Sequence, residues 1–224
     1  MIQKGDFVEL DFSGFLEDGS LFDTTIKDVA KKNGIEGKNF KPAIVCVGER
    51  HLVPGLDDAM IGKELGKFHA DIPAEQAFGK KDAKLFKLIP KTKFHNDEIE
   101  PFVGLEVSID DARGMVRAVS GGRIIVDFNH PLAGHKLHYD VNILRIITDD
   151  KEQVESAMNL MGIPFNSVSV EGKKATIEMQ ELPEELKQGL VSEITRLTGM
   201  DSVEFKAQPL NKPSSDDTSA ERGG

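Results

Sequence analysis

The alternation of apolar and polar side chains predicts short strands joined by turns near the start of the chain. Residues 7–12 alternate between the two classes, as in a half-buried strand. The polar stretch EDGS at 17–20 predicts a turn, and Leu21-Phe22 would begin the returning strand. AIVCVG at 43–48 predicts another strand, whereas the polar residues 26–41 predict a surface loop.

One short helix is predicted within this β-rich region. Val53-Pro54-Gly55-Leu56 would turn into the helical stretch LDDAMIGKEL at 56–65, which Gly66 would end. KFHADIPAEQAFG at 67–79 then predicts a strand followed by a loop.

A second β-rich block occupies residues 85–128. LFKLIP, GLEVSI, GMVRAV and RIIVDF are strand-like runs separated by turns such as Ser120-Gly121-Gly122. HPLAGHKLHYDVNILRI at 130–146 then predicts a loop and a long strand that would complete the first region. The pattern therefore predicts a discontinuous first domain, 1–84 plus 129–148, with an all-β domain inserted at 85–128.

The pattern changes to alternating helices and strands from Asp149 onward. Asp149 or Asp150 would cap a helix through about Met161, and SVSVEGKKATIEM predicts a hairpin. Pro183 would open a second helix, and SVEFKA would be a last strand. The predicted fold class is thus α+β, with a C-terminal αββαβ domain at 149–208. The polar residues 209–224 predict a disordered tail.

The second of these helices carries an apolar stripe with two interpretations. Its members are spaced by four, four and three positions: Leu186, Leu190, Ile194 and Leu197. The stripe is ordinary core in the first interpretation. In the second it is shared with another copy of the chain, since a domain of about 60 residues is marginal alone. A homodimer through this domain is therefore left open.

Composition narrows the functional classes. The chain is 39% hydrophobic and 29% charged, with a formal net charge of -10, which argues against a general nucleic-acid binder. The single cysteine, Cys46, forms no intrachain disulfide and suits a reducing compartment. Neither a signal peptide nor an apolar run of membrane-spanning length is visible. These observations predict a cytoplasmic protein without nucleic-acid or membrane partners.

Candidate metal ligands and nucleophiles carry weak signals. His130, His135 and His138 have the spacing H-x4-H-x2-H, which matches no strong zinc signature and has no nearby cysteine. Cys46 lies within an apolar strand, where a thiol is usually inert. The sequence contains no G-x-S-x-G elbow and no phosphate-binding loop. We therefore predict no metal and no cofactor, with a metal-handling protein as a rival hypothesis.

An aromatic cluster is the strongest candidate site. Phe12, Phe22 and Phe78 would crowd one region, and the carboxylate of Asp23 follows Phe22 directly. Spacing alone allows either an ordinary core or a pocket.

A family resemblance favours the pocket. DFSGFLEDGSLFDTT, then VGERHLVPGLDDAMIGKELG, then AFG resemble the FKBP-type peptidyl-prolyl isomerases in kind and order. FNHPLAGHKLHYDV resembles a strand of the long, SlyD-like branch, which carries a chaperone domain inserted in the flap. The resemblance covers residues 1 to about 148. The C-terminal extension is similar, more weakly, to that of long archaeal members.

The resemblance implies a set of pocket residues. The implied catalytic residues are Phe12, Phe22, Asp23, Phe78 and Tyr139. The implied substrate-binding residues are Ala43, Leu52, Val53, Leu56 and Leu132. Four of these depart from the usual pattern. Phe12 and Phe78 replace frequent tyrosines, and Leu56 replaces the tryptophan of small members. Ala43 stands where short members have a large aromatic residue, so we expect a wider, less polar pocket.

The resemblance also implies an activity and its clients. We expect acceleration of X-Pro isomerisation in unfolded or nascent polypeptides, which would bind apolar strand surface on the insert. Asp23 would orient neighbouring groups and interact with the twisted amide, or alternatively cap the following Thr24-Thr25 turn. The insert surface could instead be closed within its own core. The rival from another class is a holdase chaperone without significant isomerase activity.

Overall fold

The computed structural model describes residues 1–36, 40–96 and 99–208, and the predicted tail at 209–224 lies outside these residues. The strands are β1 (Phe7–Phe15), β2 (Leu21–Thr24), β3 (Ala43–Cys46), β4 (Gly66–Ile72), β5 (Phe86–Pro90), β6 (Glu106–Ile109), β7 (Ala112–Ser120), β8 (Arg123–Asp127), β9 (Leu137–Ile147), β10 (Ser167–Glu171), β11 (Lys174–Met179) and β12 (Ser202–Ala207). The α-helices are α1 (Lys27–Lys32), α2 (Pro54–Met60), α3 (Lys91–Asn96), α4 (Asp150–Leu160) and α5 (Glu184–Thr198). Short 3-10 helices occur at Ala74–Gln76 and Ala83–Leu85.

The main sheet is antiparallel and has the strand order β2-β1-β9-β4, with β3 also paired to β1. Its inner face packs on α2, whose Leu56 and Met60 are buried almost completely. Helix and sheet approach closely because Gly55 has no side chain: a Cβ there would lie 2.6 Å from Cγ2 of Ile72. The main sheet and its short helix are mixed α+β, as predicted.

A second sheet contains β5 to β8 in the order β5-β8-β7-β6 and has its own apolar core. Its buried members are Phe94, Val107, Val116, Ile124 and Val126.

Asp127, at the end of β8, connects this second sheet to the loop that carries Lys81, before β5. The Nζ of Lys81 and the Nε of Arg117 donate to Oδ2, at 2.8 and 3.3 Å. The backbone N and side-chain Nδ2 of Asn129 donate to Oδ1, at 3.0 and 2.7 Å. Burial acts to raise the pKa of this carboxyl, but the donors outweigh it and lower the pKa to about 2.

This lowered pKa predicts an acid-sensitive connection. A carboxyl whose pKa falls from its ordinary value to about 2 contributes stability above pH ~4 that is lost as the pH falls through its folded pKa. We expect the stability difference between the wild type and Asp127→Asn to shrink by about 2 kcal/mol between pH 5 and pH 2. Urea unfolding followed by circular dichroism at both values measures it. Asp110→Asn, at an exposed carboxylate paired with Lys93, is the control. A difference that does not change with pH would contradict the prediction.

The C-terminal region has a third sheet, in the order β10-β11-β12. Strands β10 and β11 form a hairpin, β12 runs parallel to β11, and α4 and α5 cover this sheet. Asp149 caps α4, because its Oδ1 accepts a hydrogen bond from the backbone N of Glu152 at 2.8 Å. Gly199 ends α5 in the left-handed conformation, with φ 67°.

The C-terminal region also packs on the main sheet. Phe7, Cys46 and Ile147 of the sheet form a buried cluster with Ala157 of α4. The guanidinium of Arg145 on β9 bonds both carboxylate oxygens of Glu152 on α4, at 2.8 and 2.5 Å. This packing explains an error in the prediction of a half-buried first strand. Phe7 and its neighbour Val8 are both fully buried, because helix α4 covers the outer face at this end.

Four further element predictions need correction. The loop predicted at 26–41 contains α1, which is anchored by the buried side chain of Ala30 within an otherwise polar stretch. Helix α2 ends at Met60 rather than Leu65, because the next residues pair with the N-terminus: Gly62 donates to the carbonyl of Ile2 at 2.8 Å. Helix α3, held by Phe94, was not predicted. Pro183 caps α5 rather than lying within it.

Candidate functional site

An aromatic cluster lies on the inner face of the main sheet. The Tyr139 ring is at its centre, 6.0 Å from the Phe12 ring and 5.6 Å from the Phe22 ring between centroids. The Phe22 ring meets Tyr139 edge-on, at 90°, which is a favourable aromatic geometry. Phe12 and Tyr139 are buried, whereas Phe22 is only half-buried. Phe22 is therefore the cluster member nearest to solvent.

Gly14 makes room for this arrangement. It pairs with Asp23 on one side and with Tyr139 on the other, so these three positions are aligned across the sheet. A Cβ on Gly14 would lie only 2.5 Å from Cζ of Phe22. The Phe22 ring therefore lies over the bare glycine backbone. Gly14 was not among the predicted site residues, although a glycine between Ser13 and Phe15 inside a predicted strand is a signal of close approach.

Asp23 lies beside the cluster and is half-buried. Burial raises the pKa of the Tyr139 hydroxyl, and the negative charge of Asp23 raises it further. The carboxylate also accepts a hydrogen bond from the backbone N of Thr24 at 2.9 Å. Both sequence interpretations of Asp23 therefore have a structural counterpart, one facing the apolar cluster and one local to the turn.

Helix α2 and the segment before it supply the remaining walls. Leu56 is buried at the first turn of α2 and belongs to the same apolar cluster. Leu52, Val53 and Ala43 are half-buried and pack against that cluster. Four predicted substrate-binding residues thus belong to, or pack against, the apolar cluster that contains the Phe12 and Tyr139 rings.

Asp57 holds the segment that carries Leu52 and Val53, and sequence reasoning missed it. Its side chain is 1% exposed. One carboxylate oxygen accepts from the backbone N of Gly48 at 2.9 Å and the other from the backbone N of Arg50 at 3.0 Å. Gly48 and Arg50 both have positive φ, 87° and 61°. The carboxylate therefore fixes a turn that is otherwise strained at Arg50.

Phe78 and Leu132 lie in a different environment from the central rings. Phe78 is 36% exposed, and its ring stacks on the imidazole of His130 at 4.2 Å and 2°. Leu132 is half-buried, and its backbone N donates to Nδ1 of His130 at 3.1 Å. The loops carrying them are joined by a hydrogen bond from the Gly134 N to the Gly79 carbonyl. His130 thus has a structural role that sequence reasoning did not assign.

Two of the three histidines of the sequence hypothesis, His130 and His138, have separate environments. His130 contacts Phe78, whereas His138 contacts Asp71, with 2.6 Å between Nδ1 and Oδ1. Cys46 is buried, and burial raises the pKa of its thiol to about 11. The thiol is therefore protonated at neutral pH, which is unfavourable for nucleophilic chemistry.

Comparison with known proteins identifies the class to which this site belongs. Residues 1–98 match the family model of the FKBP-type peptidyl-prolyl cis-trans isomerases. Residues 87–132 match the model described as FKBP26, IF domain.

Individual relatives agree with these matches. The chain is 34% identical over 147 residues to a short-type peptidyl-prolyl cis-trans isomerase of Methanocaldococcus jannaschii, covering 64% of this chain and 92% of that protein. It is 31% identical over 151 residues to the FKBP-type 16 kDa peptidyl-prolyl cis-trans isomerase of Escherichia coli K12, covering 65% and 93%. It is 29% identical over 149 residues to the FKBP-type isomerase SlyD of Haemophilus influenzae, covering 64% and 71%.

The chain therefore belongs to the FKBP-type peptidyl-prolyl cis-trans isomerase family. The predictions of this family and of an isomerase enzyme are confirmed. Within the described part of the chain, no helix has the length and apolar character needed to cross a lipid bilayer.

Proposed function

We propose that this chain isomerises X-Pro bonds in unfolded or partly folded proteins, with the proline ring bound beside Phe12, Phe22 and Tyr139. The observation that carries this proposal is the aromatic cluster with the Asp23 carboxylate at its edge. Val53 and Leu56 extend the apolar wall, and the half-buried Phe22 lies at its solvent side.

The reaction needs no nucleophile, metal or cofactor. Rotation about a peptide bond has a barrier of about 18–20 kcal/mol because resonance is lost at the twisted geometry. The cis and trans ground states of X-Pro bonds differ by only about 0.5–1 kcal/mol, so the barrier is what limits the rate. The twisted amide has less charge separation than the planar one. An apolar pocket therefore disfavours the planar ground state more than the transition state.

In this proposal, Asp23 contributes an electrostatic interaction with the substrate. Asp23 is half-buried, and its charge acts together with burial to raise the pKa of the Tyr139 hydroxyl. A negative charge at this position would interact with the carbonyl carbon of the twisted amide and orient neighbouring groups. The local contact with the Thr24 backbone fixes the carboxylate in place for that role.

Phe78 and Leu132 complete the proposed site as rim contacts for the substrate chain. Stacking on His130 holds the Phe78 ring, while its 36% exposure leaves surface for a client. Leu52 and Val53 would offer backbone groups to the chain on the opposite side, and Ala43 leaves room beside them.

We further propose that residues 85–128 form an inserted domain that binds client chains. Its core encloses Ile124 and Val126, but other large apolar side chains remain exposed. The most exposed are Leu88 at 61%, Phe102 at 60% and Val103 at 64%. Strands β5 and β6 are at the edges of the second sheet, where an extended chain could add as another strand.

A groove on the second sheet extends toward the loop that carries His130. A cavity of about 530 Å³ is bounded by Val107, Gly114 and Met115 on the second sheet and reaches Pro131. Pro131 follows His130, whose ring stacks on Phe78. A client bound along this groove would keep its prolines close to the aromatic cluster, which raises their effective concentration there.

We also propose that the chain belongs to the long, SlyD-like branch, acts in the cytoplasm and forms a homodimer through residues 149–208. Within α5, Ile194 is buried, Leu190 packs on the C-terminal core, and Leu197 packs on the cluster around Cys46. Leu186 is 57% exposed and is the stripe residue that remains for a partner copy.

The proline-limited refolding of an unfolded client tests the proposal. Three variants are compared with the wild type: Asp23→Ala, Asp28→Ala as an exposed acidic control, and a chain with residues 87–126 replaced by Asn-Gly. Phe86 and Asp127 are paired in the sheet, so a two-residue turn joins them and keeps the contact between Asp127 and Lys81.

We expect the wild type and Asp28→Ala to accelerate the slow phase equally. Asp23→Ala should lose a severalfold part of the acceleration, because only the electrostatic interaction is removed. The shortened chain should lose most of it on the protein client, yet retain its rate on a proline tetrapeptide that needs no client-binding surface. If the wild type prevents aggregation of the client but leaves the slow phase unchanged, the holdase alternative is correct.

A further inference from the structure

A group of histidines and aspartates lies on the outer face of the main sheet, opposite the aromatic cluster. His69 and Asp71 lie on β4, and His138 and Asp140 lie on β9. The register pairs His69 with Asp140 and Asp71 with His138, so all four side chains share one face. Tyr139, between His138 and Asp140, points to the inner face instead.

Three of these side chains each offer an atom that could bind a metal ion, and these atoms lie close together. Nδ1 of His138 is 2.6 Å from Oδ1 of Asp71, and Nε2 of His69 is 3.0 Å from the same oxygen. The three atoms lie within 4.8 Å of one another, and within the described residues this is the group of His, Cys, Asp and Glu that meets this criterion. The two imidazole rings are nearly parallel, at 20°, with centroids 6.1 Å apart.

Two further residues, Asp140 and Lys136, contact the ligand side chains and orient them. Nδ1 of His69 is 3.0 Å from Oδ1 of Asp140. A carboxylate on the second ring nitrogen is the usual outer partner of a metal-binding histidine, because it fixes the tautomer and the ring orientation. The Nζ of Lys136 donates to Oδ2 of Asp71 at 2.7 Å, which holds that carboxylate and leaves Oδ1 facing the histidines.

This arrangement leaves a position that favours a cation. When Nδ1 of neutral His69 carries its hydrogen toward Asp140, Nε2 presents a lone pair toward Oδ1 of Asp71. Two acceptors 3.0 Å apart repel each other unless a positive species lies between them. A proton satisfies one such pair, but a metal ion satisfies all three ligand atoms together.

We propose that His69, Asp71 and His138 bind a divalent transition-metal ion of the zinc or nickel class. Two imidazole nitrogens and one carboxylate oxygen suit these ions, whereas Mg²⁺ and Ca²⁺ prefer oxygen ligands. Bonds of about 2.0–2.2 Å require the carboxylate oxygen to move less than about 1 Å away from each imidazole nitrogen, from the present 2.6 and 3.0 Å. Asp71 and His69 are exposed and can make this movement, and water completes the coordination.

The proposed site is separate from the pocket. It joins β4, an edge strand of the main sheet, to β9. The last fourteen residues, NKPSSDDTSAERGG, contain no histidine and cannot supply imidazole ligands.

Titration calorimetry on the full chain tests the site, with Zn²⁺ and Ni²⁺ as probes and Mg²⁺ as the comparison. The measurements are made at pH 8, because hydrogen bonds that His69 donates to Asp140 and Asp71 raise the pKa of His69 and a proton competes with the ion. His69→Gln and His138→Gln each remove one ligand, and Asp140→Ala removes the outer carboxylate. His135→Gln is the matched control, since it removes a histidine from the same strand-loop region outside the group.

We expect one ion per chain, with the ligand variants at least 10-fold weaker and Asp140→Ala about 10-fold weaker. His135→Gln should bind as the wild type does, and Mg²⁺ should not bind. X-ray absorption of the zinc-loaded chain should show imidazole nitrogen around the metal, with the imidazole signal reduced in His138→Gln. Absence of binding by both ions would overturn the proposal, as would equal affinities for His69→Gln, His138→Gln and His135→Gln.

Discussion

Replacement of Asp57 by alanine is expected to destabilise the main sheet by about 2–4 kcal/mol, whereas Asp58→Ala should cost less than about 0.5 kcal/mol. The two residues are adjacent on α2 and carry the same charge. Asp57 is 1% exposed and accepts two backbone hydrogen bonds, whereas Asp58 is exposed and contacts Arg50 at the surface. The comparison therefore separates burial and hydrogen bonding from charge.

The large expected loss of stability comes from two backbone N–H groups that donate to the Asp57 carboxylate. Without the carboxylate, the N–H groups of Gly48 and Arg50 lose their acceptors in a partly buried turn. Arg50 also loses the contact that holds its left-handed backbone conformation, with φ 61°. We expect the segment through Val53 to shift, so isomerase activity should decrease as well.

Tyrosine fluorescence provides a local measurement of this effect. Tyr139 is the single tyrosine of the chain, and the chain contains no tryptophan. Urea unfolding followed by this signal therefore reports on the sheet that holds Tyr139, whereas circular dichroism reports on the whole chain. Equal midpoints for Asp57→Ala and Asp58→Ala would show that the Asp57 carboxylate does not stabilise the turn.

Local sequence patterns predicted much of the element order but not the burial of individual strands. The alternation in β1 correctly predicted that one face of this strand is apolar and buried. It could not predict that α4 covers Phe7 on the other face. That contact joins residues about 150 positions apart, and no local pattern contains it. In the same way, α2 ends early because Gly62 pairs with Ile2, near the beginning of the chain.

The residues of the candidate site were also predicted only in part. Periodicity placed Phe12 and Phe22 on strands, and the family resemblance supplied Tyr139 and Leu56 as neighbours. The contacts that position these side chains were not predicted, because they depend on three-dimensional detail. Asp57 looked like an ordinary acidic residue in the first turn of a helix, yet it is buried and bonded to a distant turn. Gly14 looked like an interruption of a strand, yet it admits the Phe22 ring.

Gly14→Val is expected to reduce catalytic efficiency by about 10- to 100-fold while leaving the sheet folded. The added Cβ would lie 2.5 Å from the Phe22 ring, so the ring must leave its position. Phe22 is half-buried and can turn toward solvent, which limits the cost in stability to about 1–2 kcal/mol. Loss of the ring from the pocket removes about 1.5–3 kcal/mol of apolar contact with the substrate.

A double-mutant cycle determines whether Gly14 acts through Phe22. The rates of Gly14→Val, Phe22→Ala and the double variant are measured on a proline tetrapeptide, and the Tyr139 fluorescence of each confirms that the sheet is folded. If the valine only displaces the ring, the double variant should be no slower than Phe22→Ala alone, because the displaced group is already absent. Additive losses would instead mean that the valine perturbs Tyr139 or Asp23 directly, since both pair with Gly14 across the sheet. That result would show that Gly14 and Phe22 act independently, with Phe22 contacting the substrate and Gly14 preserving the positions of the central tyrosine and the carboxylate.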